Sequence, residues 1–264
     1  MFFAELFANY STFTIISLAF FCLVAGFLDA VVGGGGLITI PTLLINFPNS
    51  SLPTLFGTNK IAALSGTSVS AYHYSKKIKF NYLLLFTIAA VAGAASFCGA
   101  RVVSRLDTEM LKPMILIILV VIAIYTFLKK DLGSVHTKAL PLKKQLLTGA
   151  LLGLGCGFYD GFFGPGTGSF LVMGFVVMLG FDFLSASAYS KIINCFTNLS
   201  ALTVFIRQGN YIIEIAILMS VCMIIGNFVG TKVALRRGSG FVRTIFLIIV
   251  LIMIVRYAYD VFGT

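Results

Sequence analysis

Charged residues are scarce in this chain, at 11% of 264 positions, while hydrophobic residues make up 59%. An average soluble domain is about a quarter charged, so the composition excludes an ordinary water-soluble fold. The five cysteines (Cys22, Cys98, Cys156, Cys195, Cys222) form no CxxC or CxxxC pair and lie in apolar segments. That excludes a disulfide or thiolate-metal framework and leaves them as small buried hydrophobes. The two histidines, His73 beside Tyr72 and Tyr74 and His136 in a polar stretch, have no metal-ligand company, so no metal site and no cofactor is expected. HExxH, GxSxG and Walker patterns are all missing. Acidic residues number 9 against 19 basic ones, for a net charge of +10. In a membrane protein that excess belongs to loops facing an anionic cytoplasmic surface, and a nucleic-acid partner is not expected. Residues 1–14 have no basic n-region ahead of the first apolar stretch, which therefore reads as a retained helix in a lipid bilayer.

What the chain does contain is one pattern written twice, 131 residues apart. Gly26-Phe27-Leu28-Asp29-Ala30-Val31-Val32-Gly33-Gly34-Gly35-Gly36 returns as Gly157-Phe158-Tyr159-Asp160-Gly161-Phe162-Phe163-Gly164-Pro165-Gly166-Thr167-Gly168. The same offset pairs Lys60 with Lys191, Gly99 with Gly230, and Arg101 with Lys232. Duplicated halves with hydrophobic segments interrupted at matching positions are the mark of secondary transporters.

Ten hydrophobic elements are expected, near 12–32, 36–47, 56–75, 80–104 and 110–128, then 146–163, 167–181, 184–206, 210–235 and 240–261. The expected fold is an all-α, polytopic transmembrane bundle forming a single membrane domain over 1–264. Its two homologous halves span about 12–128 and 146–261, joined by a basic cytoplasmic linker at about 129–145. Windows of roughly 18 uncharged residues suit the ~30 Å hydrocarbon layer. The first two elements of each half flank a glycine-rich break, a backbone state tolerated at membrane depth only inside protein or along a wet cavity.

Loop charge gives the orientation. If all ten elements cross, one side receives Lys76, Lys77, Lys79, Lys129, Lys130, Lys138, Lys143, Lys144, Lys232, Arg236, Arg237 and Arg243. The other receives Arg101, Arg105, Lys112, Arg207 and Arg256. With the second element of each half re-entrant, the bias shrinks. The larger bias favours five crossings per half, which makes the halves inverted repeats; eight crossings is the alternative.

Lys60 and Lys191 are the leading functional candidates. A lysine at the centre of a membrane helix costs ~2.5–3.5 kcal/mol on insertion scales, and it recurs at equivalent positions, in Gly57-Thr58-Asn59-Lys60 and Tyr189-Ser190-Lys191. Each is expected to open a helix, where an ammonium opposes the dipole and a bound anion would relieve the conflict. The bland reading is snorkelling to an interface. The glycine runs Gly33, Gly34, Gly35, Gly36 and Gly164, Gly166, Thr167, Gly168 would turn backbone amides and helix starts toward the same anion. Thr58, Asn59, Asn194 and Asn198, with Thr67 and Ser190, add hydrogen-bonding groups that bind a substrate or merely join helices. Asp29 and Asp160 are coupling or structural carboxylates: they can pair with lysine, cap a helix start or carry a proton. Asp182 and Glu214 lie near segment ends. Gly93–Gly99 and Gly226–Gly230 are small-residue faces that can pack within one chain or between two, as in a homodimer.

Four blocks resemble the TauE/SafE sulfite exporter family of bacterial membrane proteins: Gly26–Pro41 (GFLDAVVGGGGLITIP), Gly57–Lys60 (GTNK) with Ser70–Tyr74, Gly157–Phe170 (GFYDGFFGPGTGSF), and Ala188–Leu202 (AYSKIINCFTNLSAL) followed by Gly209. The resemblance implies a multi-pass protein of the bacterial inner membrane that transports small sulfur-containing anions such as sulfite or organosulfonates, generally outward. The expected function is therefore secondary transport by alternating access around a midplane anion site, with a passive anion channel or another small organic anion as alternatives. An intramembrane aspartyl enzyme built on Asp29 and Asp160 fits poorly beside two lysines, and no enzymatic activity is expected.

Overall fold

The computed structural model describes residues 9–106 and 140–262, with the backbone alone for 239, 242–243 and 245–262. The expected element at 110–128, most of the linker, His136 and the basic residues Lys112, Lys129, Lys130 and Lys138 lie outside the described residues. Within them every regular element is a helix. These are α1 (Thr12–Val32), α2 (Gly36–Asn46), α3 (Leu52–Ser75), α4 (Tyr82–Val103), α5 (Leu142–Phe162), α6 (Thr167–Leu179), α7 (Phe183–Arg207) and α8 (Ile213–Phe262). Gly238, at φ 73°, breaks α8 into two limbs. They correspond to the separate elements expected at 210–235 and 240–261.

Three stretches are long and apolar enough to cross a membrane: α1, α4 and Ile213–Gly238 of α8. The others of similar length carry the polar residues of the site. α2 and α6 have only 11 and 13 residues. At 1.5 Å per residue they reach about 16 Å and about 20 Å, short of the ~30 Å hydrocarbon layer.

The 131-residue offset governs the geometry even where residue identity has diverged. Ser51 caps α3 by accepting the Thr54 amide, and Asp182, at the matching position, caps α7 by accepting those of Leu184 and Ser185. Gly33 and Gly164 both hold a left-handed backbone. The Asn81 amide donates to the Tyr189 hydroxyl at 2.7 Å, while the equivalent Ile212 amide donates to Thr58 Oγ1 at 2.9 Å. Each bond ties one half to the other. Tyr189→Phe and Thr58→Val should therefore each lower unfolding free energy by about 1 kcal/mol, measured by detergent-phase denaturation.

Between helices in lipid there is little hydrophobic drive, so close backbone approach does the joining. A Cβ on Gly26 would sit 2.7 Å from the Met223 carbonyl oxygen, and one on the matching Gly157 would sit 2.3 Å from that of Ala92. Gly99 meets Phe158 and Gly230 meets Phe27 in the same way. Thus α1 packs on α8 and α5 packs on α4, so that the first helix of each half lies against the fourth helix of the other. The small-residue faces at Gly99, Gly226 and Gly230 are used within the chain.

Candidate functional site

The two lysines do not open their helices. Because α3 begins at Leu52 and α7 at Phe183, Lys60 and Lys191 are each the ninth residue, well past the first turn. The dipole conflict expected from the sequence is therefore replaced by a different solution to a buried charge. Lys60 Nζ lies 2.6 Å from Asp160 Oδ2, and Lys191 Nζ lies 3.1 Å from Asp29 Oδ1. Each lysine takes its carboxylate from the other half. Exposure is 3% for Lys60, 4% for Asp160, 7% for Asp29 and 0% for Lys191. Burial so complete is tolerable only with paired charges, since an isolated ion in this environment costs several kcal/mol.

The pairs are not equal. Lys60 donates an aligned hydrogen bond to Asp160. Lys191 is close to Asp29 without an aligned bond to any acceptor among the described residues, and Asp29 instead accepts from Thr67 Oγ1 at 3.0 Å.

A small polar pocket of about 30 Å³ lies at the Lys60–Asp160 pair, room for one or two waters. Asp29, Gly33, Gly36, Asn59, Lys60, Asp160, Gly164, Gly166, Thr167, Gly168, Asn194 and Asn198 line it. Lys191, Gly34 and Gly35 do not, nor does Thr58, whose hydroxyl donates to the Thr54 carbonyl and accepts the Ile212 amide. Thr67, Ala63 and Met223 complete the wall. Ala63 occupies the position matching Asn194 and carries no sequence signal of its own. Ser190, matching Asn59, donates to the Gly168 carbonyl.

α2 and α6 both start at this cavity, and neither has a side-chain cap. Their partial positive ends thus face the same small volume. Gly33 and Gly168 touch backbone to backbone beside it; a Cβ on either would come within 2.5 Å of the other's main chain. Around the cavity the polar groups are well held. Asn59 Oδ1 accepts from Thr39 Oγ1 at 2.5 Å. The last carbonyls of α1, at Ala30, Val31 and Val32, accept from Tyr74, Ser187 and Ser169, each at 3.1 Å. These donors come from α3, α7 and α6 and satisfy groups a helix end leaves open. Asn194 Oδ1 is the exception, buried at the pocket with no hydrogen-bond partner among the described residues. Among the described residues no group of histidine, cysteine and carboxylate side chains is arranged to hold a metal.

The arrangement gathers a buried ammonium, two helix starts and three asparagines at one small polar pocket. Comparison with known proteins places the chain among transport proteins. Residues 18–257 match the family model described as sulfite exporter TauE/SafE. The chain is 33% identical over 241 residues to a probable membrane transporter protein, ORF9, of Sinorhizobium sp, covering 90% of this chain and 89% of that relative. It is 32% identical to a probable membrane transporter protein of Haemophilus influenzae, over 91% of this chain and 93% of the relative. Identity to the probable membrane transporter protein YfcA of Escherichia coli K12 is also 32%, over 93% and 90%. No solved structure matches the chain significantly. A match over nearly the whole sequence, together with apolar helices of spanning length, makes this chain a membrane protein of the sulfite exporter TauE/SafE family.

Proposed function

We propose that the protein is a secondary transporter of small sulfur-containing oxyanions, of the sulfite or organosulfonate class, and that it works outward by alternating access. One observation carries this reading: a buried ammonium, Lys60, faces a small polar pocket shared with two uncapped helix starts and with asparagines of α3 and α7. Oxyanions are held by this combination, a charged donor with backbone amides at helix starts. The family description supports the sulfur-oxyanion class, and the relatives' names support transport.

The four ionised side chains sum to zero, so an anion entering alone would bring uncompensated charge into a poorly solvated site. A proton taken up by Asp160 as the anion replaces it at Lys60 would cancel the charge of a monoanion, or half that of a dianion, and couple the two movements. The pocket measures about 30 Å³, and alternating access would widen it as helices part. In this reading residues 12–128 and 146–261 are inverted halves of one membrane domain in the bacterial inner membrane. The end carrying Lys76, Lys77, Lys232 and Arg236, together with the basic linker, faces the cytoplasm.

The test is flux in reconstituted liposomes. Sulfite or sulfoacetate movement should saturate, run uphill under an imposed pH gradient, and fall about tenfold in Asn194→Ala, the loss of one good hydrogen bond to an anion. Flux that no ion gradient can drive uphill would indicate a channel. No flux of any sulfur oxyanion would remove the substrate class.

A further inference from the structure

We propose that the cavity between the C-terminal end of α3 and the end of the first limb of α8 is a binding site for an anionic phospholipid. Its headgroup phosphate would sit among Lys76, Lys77, Lys232 and Arg236, and an acyl chain would lie along the wall. The cavity measures about 580 Å³ and is lined by those four cations, His73 and the apolar side chains of Ile78, Leu184 and Leu235. Among the described residues no carboxylate lines it, and the ion pairs found among them are the two buried ones. The Lys232 ammonium rests 3.9 Å above the Phe228 ring, and that of Lys76 rests 4.1 Å above Tyr72. These two cations have aromatic faces for company and, among the described residues, no anion.

The chemistry of rim and wall together selects the ligand. A free oxyanion would use the cationic rim and leave the apolar wall wet, whereas an amphiphile satisfies both. Clustered Lys and Arg at the end of membrane helices bind acidic headgroups through short-range attraction. The opposite end of the bundle, reached by the 131-residue offset, has Arg207, Gln208, Arg101 and Arg105 in place of the four cations, and Ser104 in place of Leu235. The cation over a phenylalanine is kept there, with Arg101 4.4 Å above Phe97, but one positive charge and part of the apolar wall are lost. The lipid site is therefore specific to one end and not a by-product of duplication.

Purified protein in neutral detergent would be titrated with phosphatidylglycerol, with phosphatidylcholine of the same acyl chains, and with inorganic phosphate, read by native mass spectrometry and thermal shift. The expected result is about tenfold tighter binding of phosphatidylglycerol than of phosphatidylcholine. That preference should vanish in Lys232→Gln/Arg236→Gln and persist in Lys232→Arg/Arg236→Lys. Equal binding of the two lipids would overturn the proposal, as would an unchanged preference in the double glutamine variant. Inorganic phosphate binding as tightly as phosphatidylglycerol would overturn it too, making this a free-anion site.

Discussion

Replacing Lys60 with methionine is expected to destabilise the protein by about 3–5 kcal/mol and to abolish saturable sulfite binding. The first effect follows from leaving the Asp160 carboxylate, 4% exposed, without its partner 2.6 Å away. Breaking a buried pair on one side strands a charge, whereas replacing both members with apolar groups of similar volume is close to neutral or better. The double variant Lys60→Met/Asp160→Leu should therefore recover most of the lost thermal stability and none of the binding. This separation distinguishes an ammonium kept for an anion from one kept only to neutralise a carboxylate. Unfolding temperature and sulfite binding, measured on the same three samples, give the answer. Binding that survives in the double variant would place the anion site elsewhere.

Gly33→Ala is expected to be nearly as damaging, for a reason unconnected with charge. Gly33 has φ +83°, a conformation costing a side-chain-bearing residue about 1–2 kcal/mol. Its new Cβ would also stand 2.5 Å from the Cα and carbonyl carbon of Gly168, main-chain atoms that cannot rotate away. Overpacking of this kind adds about 1–3 kcal/mol or forces the two breaks apart. Separating them would pull the α6 start from the cavity, so anion binding should fall together with the yield of monodisperse protein. Gly155→Ala, which would project into open space, serves as the matched control and should behave as wild type in both assays.

Much of this architecture was legible in the sequence because the duplication is so plain. The offset located the glycine breaks, both aspartates and both lysines, and it anticipated a helix break between the fourth and fifth elements of the second half. The partnership of those charges was not legible. Asp29 and Lys60 stand in one copy of the repeat, and nothing in their spacing says that each will choose its partner from the other copy. That choice is made by close contacts such as Gly26 on Met223 and Gly157 on Ala92, which are visible only once the helices are assembled. The placement of Lys60 at a helix start failed for a local reason. Ser51 and Pro53 together form a start signal, an N-cap followed by a first-turn proline, and the apolar Leu52, Leu55 and Phe56 belong to the helix they open. Thr58, a candidate because its hydroxyl stands beside a lysine, does not line the pocket; its hydroxyl accepts a loop amide from the other half, a tie that the sequence does not show. The donors that close the end of α1 come from three separate helices and leave no periodic trace.

The crosswise packing of α1 on α8 and α4 on α5 limits how such a molecule can change shape. A hinge placed at the linker, with each half moving as a block, would have to peel apart the closest helix contacts in the protein and sever both buried ion pairs at once. A motion that spares those contacts must carry α1 and α8 as one piece and α4 and α5 as another. Under the proposed alternating access, each moving unit would then be drawn from both halves of the chain. Mechanically, the boundary between gene halves and the boundary between moving parts are different surfaces, and crosslinks designed on the first would not report on the second.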